Sequence, residues 1–174
     1  MPVRMKQVCV AIILGLLAGT VHSHADDKET AAAVTDEDGK YFDKDGTPTF
    51  NIKEDGTVDW YTYSGYRRFN SECHVCHGAD GAGSTFAPAL VNSLKTMSYA
   101  DFLSTVAEGR KNLSAGKESV MPAFGNNKNV YCYLDDIYVY LRARAVGDLP
   151  RGRPAKKEDK PEAAREQEAS CMGG

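Results

Sequence analysis

Three stretches of the chain repeat apolar residues at helical spacing. Beyond Asp59, a candidate N-cap, Tyr63, Tyr66 and Phe69 recur every third position and predict a helix that delivers the chain to Ser71. A second helix is predicted from Ser98, whose capping role is strengthened by Asp101 three residues on. Tyr99, Phe102, Leu103 and Val106 would share its buried face, and Gly109 is its stop signal. A third is predicted from Val130 to Ala145, with Leu134, Ile137, Tyr138 and Leu141 on one face and Arg142 and Arg144 in the last turn, where cations suit the helix dipole. Ahead of all three, the runs "TPTFNI" and "TVDWYT" lie among Asp-Gly pairs at Asp38-Gly39, Asp45-Gly46 and Asp55-Gly56, which predicts a small β-hairpin or meander. The expected fold is mainly α, with one small helical domain over residues 61–149 and an extension over 26–60 that carries the β-hairpin.

The ends of the chain read differently. Arg4 and Lys6 precede an apolar run from Val8 to Gly19 that is too short to span a bilayer comfortably, and Ser23-His24-Ala25 places small residues where a signal peptidase cuts. Residues 1–25 are therefore read as a secretory signal cleaved after Ala25, with the bond after Ser23 and a retained anchor as alternatives, and with no stable membrane insertion after cleavage. Losing Arg4 and Lys6 takes the formal charge from −3 to −5, an acidic balance that argues against nucleic acid and for partners with basic docking patches. The segment from Asp26 to Gly39 and the polar tail over 150–174 have little to bury, and both are expected to be mobile.

"SECHVCHG", from Ser71 to Gly78, holds two cysteines three residues apart with a histidine behind the second. Zinc would need a second pair of ligands, and only His74 and the isolated Cys132 and Cys171 are on offer. A dithiol redox switch would sit in a βαβ pattern that the chain lacks. A covalent haem needs Cys73 and Cys76 for the two vinyl groups, His77 as proximal ligand, and export, and it suits all three. Candidates for the other axial face are His74, Met97, Met121, Met172 and solvent. Met121, in the loop "MPAFG" stiffened by Pro122, is the preferred one: Met97 suits packing, Met172 lies on the tail, and His74 is tied to the attachment turn.

Gly65 and Phe69, eight and four residues before Cys73, together with "CHVCHG", "APAL", "VMPAF" and "IYVYLR", make the chain resemble a class I cytochrome c. The resemblance implies a small fold of about three helices around one haem c. It implies that Gly65 and Phe69 lie where the first helix crosses the C-terminal one, against Ile137 and Tyr140, and that the Pro88 carbonyl orients His77 through its other ring nitrogen. Most of the chain from Asp38 to Leu90 is similar to the four-cysteine c-type cytochromes related to methanol metabolism. That resemblance implies a quinoprotein methanol or other alcohol dehydrogenase as electron donor and a second cytochrome or oxidase as acceptor.

The remaining features are weighed the same way. Cys132 and Cys171 form an even pair in an exported chain, and a disulfide between them would close a 39-residue loop worth on the order of 3 to 4 kcal/mol. Asp43, Asp45 and Glu54 match the first, third and twelfth positions of a calcium loop, but Pro48 stands where the sharp turn needs glycine, so they read as solvated acids in turns. Trp60, Tyr61, Tyr63 and Tyr66 read as core and haem-edge packing. Arg67, Arg68, Lys95, Lys111 and Lys117 are candidates for propionate contacts or docking charges. The function expected is one-electron transfer by a periplasmic mono-haem cytochrome that is not an enzyme. A haem enzyme or gas sensor with an open sixth position is the alternative.

Overall fold

The computed structural model describes residues 31–114 and 117–173. The signal over 1–25 lies outside the described residues, as does the start of the extension.

The chain opens with β1 (Thr35–Glu37), β2 (Lys40–Phe42) and β3 (Pro48–Thr49), an antiparallel sheet in that order. Its register pairs Asp36 with Tyr41 and Tyr41 with Thr49. The first two Asp-Gly pairs make its turns, and Asp43 accepts the backbone N–H groups of Asp45 and Thr47 at 2.9 Å each. The acids singled out for calcium therefore act as turn builders, through Asp43. Ala31, 2% exposed, and β3 are part of the core, so the extension is anchored at these points, while residues 32–38 between them are exposed.

After β4 (Thr57–Val58), helix α1 (Trp60–Glu72) starts at Asp59, as predicted. Asp59 is buried and saturated: its carboxylate accepts from the Thr62 N–H and the Asn51 N–H, each at 2.8 Å, and from the Thr62 hydroxyl at 2.6 Å. The helix breaks at Cys73, and a single turn, α2 (His74–His77), follows, then a 3-10 turn over Ala79–Gly81. Short α3 (Leu90–Ser93) precedes α4 (Tyr99–Glu108), which is capped by Ser98 and stopped at Gly109 as read from the sequence. The Ser98 hydroxyl accepts the Asp101 N–H at 3.1 Å and donates to its carboxylate at 2.7 Å.

Between α4 and the next helix the sequence reading saw only loop. The structure has a hairpin there, β5 (Arg110–Ser114) and β6 (Lys117–Met121), with Arg110 opposite Met121. The third predicted helix is two: α5 (Lys128–Tyr131) and α6 (Leu134–Val146). They are separated because Tyr133 leaves helical geometry, at φ −130° and ψ 22°. Its hydroxyl donates to Glu168 at 2.5 Å and its ring lies under the Arg68 guanidinium, 3.6 Å from the ring centre.

The tail is the largest correction. Beyond Leu149 it returns across the molecule: Arg151 and the Gly152 N–H bind buried Asp80 at 3.2 and 3.0 Å, and β7 (Lys156–Lys157) pairs in parallel with β4. It ends as α7 (Glu162–Met172), held to α5 and α6 by the Cys132–Cys171 disulfide. Glu168 is met by Lys160, Tyr133 and Arg68, and Lys157 and Lys160 lie over the Trp60 ring at 5.1 and 5.7 Å. The N-terminal aromatics therefore serve partly as the bed for this strap, with Tyr63 accepting from Arg153 at 2.7 Å. A cavity of about 200 Å³ remains between α1, α6 and α7, with Asp136 in its wall.

Asp136 is 5% exposed. Burial pushes its carboxyl up to about 7, aided by Asp135 and Asp59 and opposed by the Ser64 hydrogen bond and Lys40. An unfolded aspartate releases its proton near pH 4, so the folded protein holds the extra proton and loses stability as pH rises from about 4 to 7, by at most about 1.4 kcal/mol per pH unit. Asp136→Asn removes that dependence. Urea unfolding of both proteins across this range is expected to show wild type falling relative to the variant as pH rises; parallel curves would exclude the assignment. Replacing Cys132 and Cys171 together by serine is expected to cost about 4 kcal/mol, the worth of closing a 39-residue loop, read as a lower denaturation midpoint under non-reducing conditions.

Candidate functional site

Helix α1 ends where the chemistry begins. Cys73 caps it, its N–H bonded to Phe69 O at 2.9 Å, and Cys73 O then accepts the Cys76 and His77 N–H groups at 3.2 and 3.0 Å. One turn thus presents Cys73, Cys76 and His77 together. Gly78 leaves the turn at φ +72°, and a Cβ there would stand 2.2 Å from Gly83 O, so glycine is required on both counts. Gly83 in turn donates to His77 O at 2.7 Å, and the Ser84 hydroxyl holds Cys76 O and receives the Phe86 N–H. Gly83 and Ser84 are not singled out by the sequence, although "GAGS", two residues after the motif, is a turn signal.

His77 is 8% exposed, and its Nδ1 donates to the Pro88 carbonyl at 3.1 Å. This contact fixes the tautomer and leaves Nε2 as the nitrogen for a metal. Cys73 and Cys76 are free thiols. Burial, then Glu72 and Cys76, pushes the Cys73 thiol up to about 12, the opposite of the depressed thiol of a redox dithiol. The other two described cysteines are bonded to each other, and among the described residues no group of three or more His, Cys, Asp and Glu is arranged to hold a metal ion.

Phe69 is fully buried against Tyr140, ring centres 5.6 Å apart, and Tyr66 meets the same ring edge-on at 5.7 Å. A Cβ on Gly65 would lie 1.8 Å from Asp136 O and 2.8 Å from Tyr140 Cβ, so α1 and α6 touch backbone to backbone there. Ile137, 2% exposed, belongs to the same core. Met121 ends β6, half-buried, and packs with Phe124 against the core. Met97 packs there too, His74 is exposed, and Met172 sits at the end of α7 with its carbonyl bound by Lys128 at 2.9 Å. Arg68 is engaged with the strap, whereas Arg67 and Lys111 are exposed and Lys95 is half-buried; the Lys117 side chain lies outside the described residues.

Two free thiols and an imidazole on one turn, with the imidazole steered by a backbone carbonyl, form the donor set of a covalently attached haem, and they fit that group. The fold and site are those of a c-type cytochrome. The family described as "Cytochrome C oxidase, cbb3-type, subunit III" matches residues 62–141. The chain is 58% identical over 138 residues to cytochrome c-553I of Paracoccus denitrificans, which covers 79% of this chain and 61% of that one, so it spans about three-fifths of that relative's length. It is 38% identical over 102 residues to cytochrome c-555 of Methylococcus capsulatus, covering 58% of this chain and 76% of the relative. The crystal structure of the c-type cytochrome XoxG from Methylobacterium extorquens AM1 matches with a TM-score of 0.79 at 58% identity, covering 84% of this chain and 90% of that one. The chain belongs to the c-type cytochromes, a family of electron carriers with covalently bound haem c, and its single CxxCH gives one haem.

Gly65→Ala forces the backbones of α1 and α6 apart. The cost expected is about 3 kcal/mol, the upper end for overpacking, read from the guanidinium midpoint of the holoprotein. A midpoint within error of wild type would mean that the crossing is not as close as described.

Proposed function

We propose that this cytochrome is a periplasmic one-electron carrier with His77 and Met121 as axial ligands, taking electrons from a quinoprotein methanol or other alcohol dehydrogenase and passing them to a downstream cytochrome or oxidase. The observation that carries the reading is the His77–Pro88 contact on the turn that bears both free thiols, because it supports His77 as a proximal ligand with a fixed ring.

When bound, the haem supplies a one-electron couple. The protein's part is to bind and orient: Cys73 and Cys76 anchor, His77 is aimed by Pro88, and Met121 offers a soft, neutral donor that raises the potential relative to a second histidine. With His77 and Met121 both bound to the iron, no coordination position would be left for a substrate, which is why the chain is read as a carrier and not an enzyme or gas sensor. Export is supported by the signal-like N-terminus and by the Cys132–Cys171 disulfide, a bond that persists in oxidising compartments. Among the described residues no helix is long and apolar enough to cross a membrane. The donor class rests on the resemblance to methanol-metabolism cytochromes over the N-terminal half of the chain.

The test is stopped-flow reduction of the oxidised holoprotein by a quinoprotein methanol dehydrogenase turning over methanol, at low and high salt. Fast reduction that slows with salt is expected, since docking between charged surfaces is screened. A haem that stays oxidised with that enzyme yet accepts electrons from ascorbate would overturn the donor. Immediate, complete binding of carbon monoxide to the reduced protein would overturn the carrier in favour of an open site.

A further inference from the structure

The segment that carries Met121 is built onto the end of α4. The hairpin leaves α4 at Arg110 and returns at Met121, directly opposite, so Met121 stands at the hairpin's root. Beyond it, the Phe124 N–H binds Val106 O and the Gly125 N–H binds Ala107 O, both at 3.0 Å. These are carbonyls of the last turn of α4, which the helix itself leaves without partners. Gly109 lies between these anchors. Its backbone, at φ +75° and ψ −178°, occupies a region open in practice only to glycine. A Cβ on it would stand 2.6 Å from Met121 O, 2.8 Å from Ala123 N and 2.9 Å from Pro122 C.

A helix stop alone does not require this crowding. Gly147 ends α6 at φ +83°, yet a Cβ there would meet nothing within 4 Å. Gly109 therefore does something that Gly147 does not: it lets the backbone of Met121, Pro122 and Ala123 lie in contact with the end of a helix.

We propose that Gly109 is the positioning residue for the Met121 ligand: the missing Cβ seats residues 121–123 on the end of α4 and so sets where the Met121 thioether stands. The inference rests on Met121 being the axial ligand. An alanine at 109 pushes backbone atoms on both sides of the Met121–Pro122 bond, and relief comes from lifting the hairpin root, which carries the ligand with it. The attachment turn is untouched, since Cys73, Cys76, His77 and Pro88 make their contacts on other elements.

The experiment uses the haem-loaded full chain as Gly109→Ala, Gly147→Ala and Met121→Ala beside wild type. The readouts are the methionine-to-iron charge-transfer band of the oxidised protein, the reduction potential and carbon monoxide binding to the reduced protein. Gly109→Ala is expected to lose most of the band, to fall in potential and to bind carbon monoxide, with haem content unchanged. Gly147→Ala is expected to lower stability and keep the band. A Gly109→Ala protein with the wild-type band and potential overturns the proposal and leaves Gly109 a helix stop. A band that survives in Met121→Ala overturns the ligand reading itself, a result distinct from the first. Should Gly109→Ala not fold, Gly125→Ala decides, because its Cβ would meet Ala107 O at 3.0 Å and crowd the same anchor more mildly. A weakened band there supports the proposal, and an unchanged one overturns it.

Discussion

The structure depends on one contact, the crossing of α1 and α6 at Gly65. Without a side chain at that position, the Asp136 carbonyl and the Tyr140 Cβ approach the α1 backbone directly. It places the helix that delivers the CxxCH turn. Phe69, one helical turn beyond Gly65, is buried on Tyr140, and the next turn ends in Cys73. Helix α1 thus acts as a rigid arm clamped at its middle, with the attachment turn at its end. The close approach also helps bury Asp136, and that burial raises its carboxyl pKa, while Ser64 next to Gly65 supplies a hydrogen bond that opposes the rise.

Much of this was legible in the sequence wherever a local rule decided the outcome. Asp59 and Ser98 are caps because their side chains reach N–H groups three residues on, and those partners lie in the same short stretch of chain. The CxxCH is likewise local, and the Asp-Gly pairs marked real turns. Pro88 and Tyr140 lie farther away in sequence, and only the family resemblance pointed to them.

What was not legible depends on partners distant in sequence. The strap over 150–173 buries one residue of α7, Ala164, so it has no apolar period to read. It is held by Asp80, Glu168, the Trp60 ring and a disulfide, each a pairing across at least eight residues and mostly across far more. A polar composition predicts mobility, but polar side chains with fixed partners seat a segment too. The hairpin over 110–121 escaped for a different reason, since its ladder partners are close in sequence. Its strands are short and rich in charge and lack the alternation of a half-buried strand, and the pairing that defines it is its own ladder.

His77 and Met121, the two ligands proposed, are held by different means. His77 stands on a turn continuous with α1, and its ring is steered by a backbone carbonyl eleven residues away. Met121 stands at the root of a two-stranded hairpin, an element of marginal stability on its own, which is joined to the end of α4 by two hydrogen bonds and the Gly109 contact and packs against the core. Cys73, Cys76 and His77 lie on the arm clamped by Gly65, whereas Met121 lies on a separate element, so the two parts of the proposed site can change independently. If Met121 is the ligand proposed above, changes in α4 and the hairpin would move it without disturbing the attachment turn.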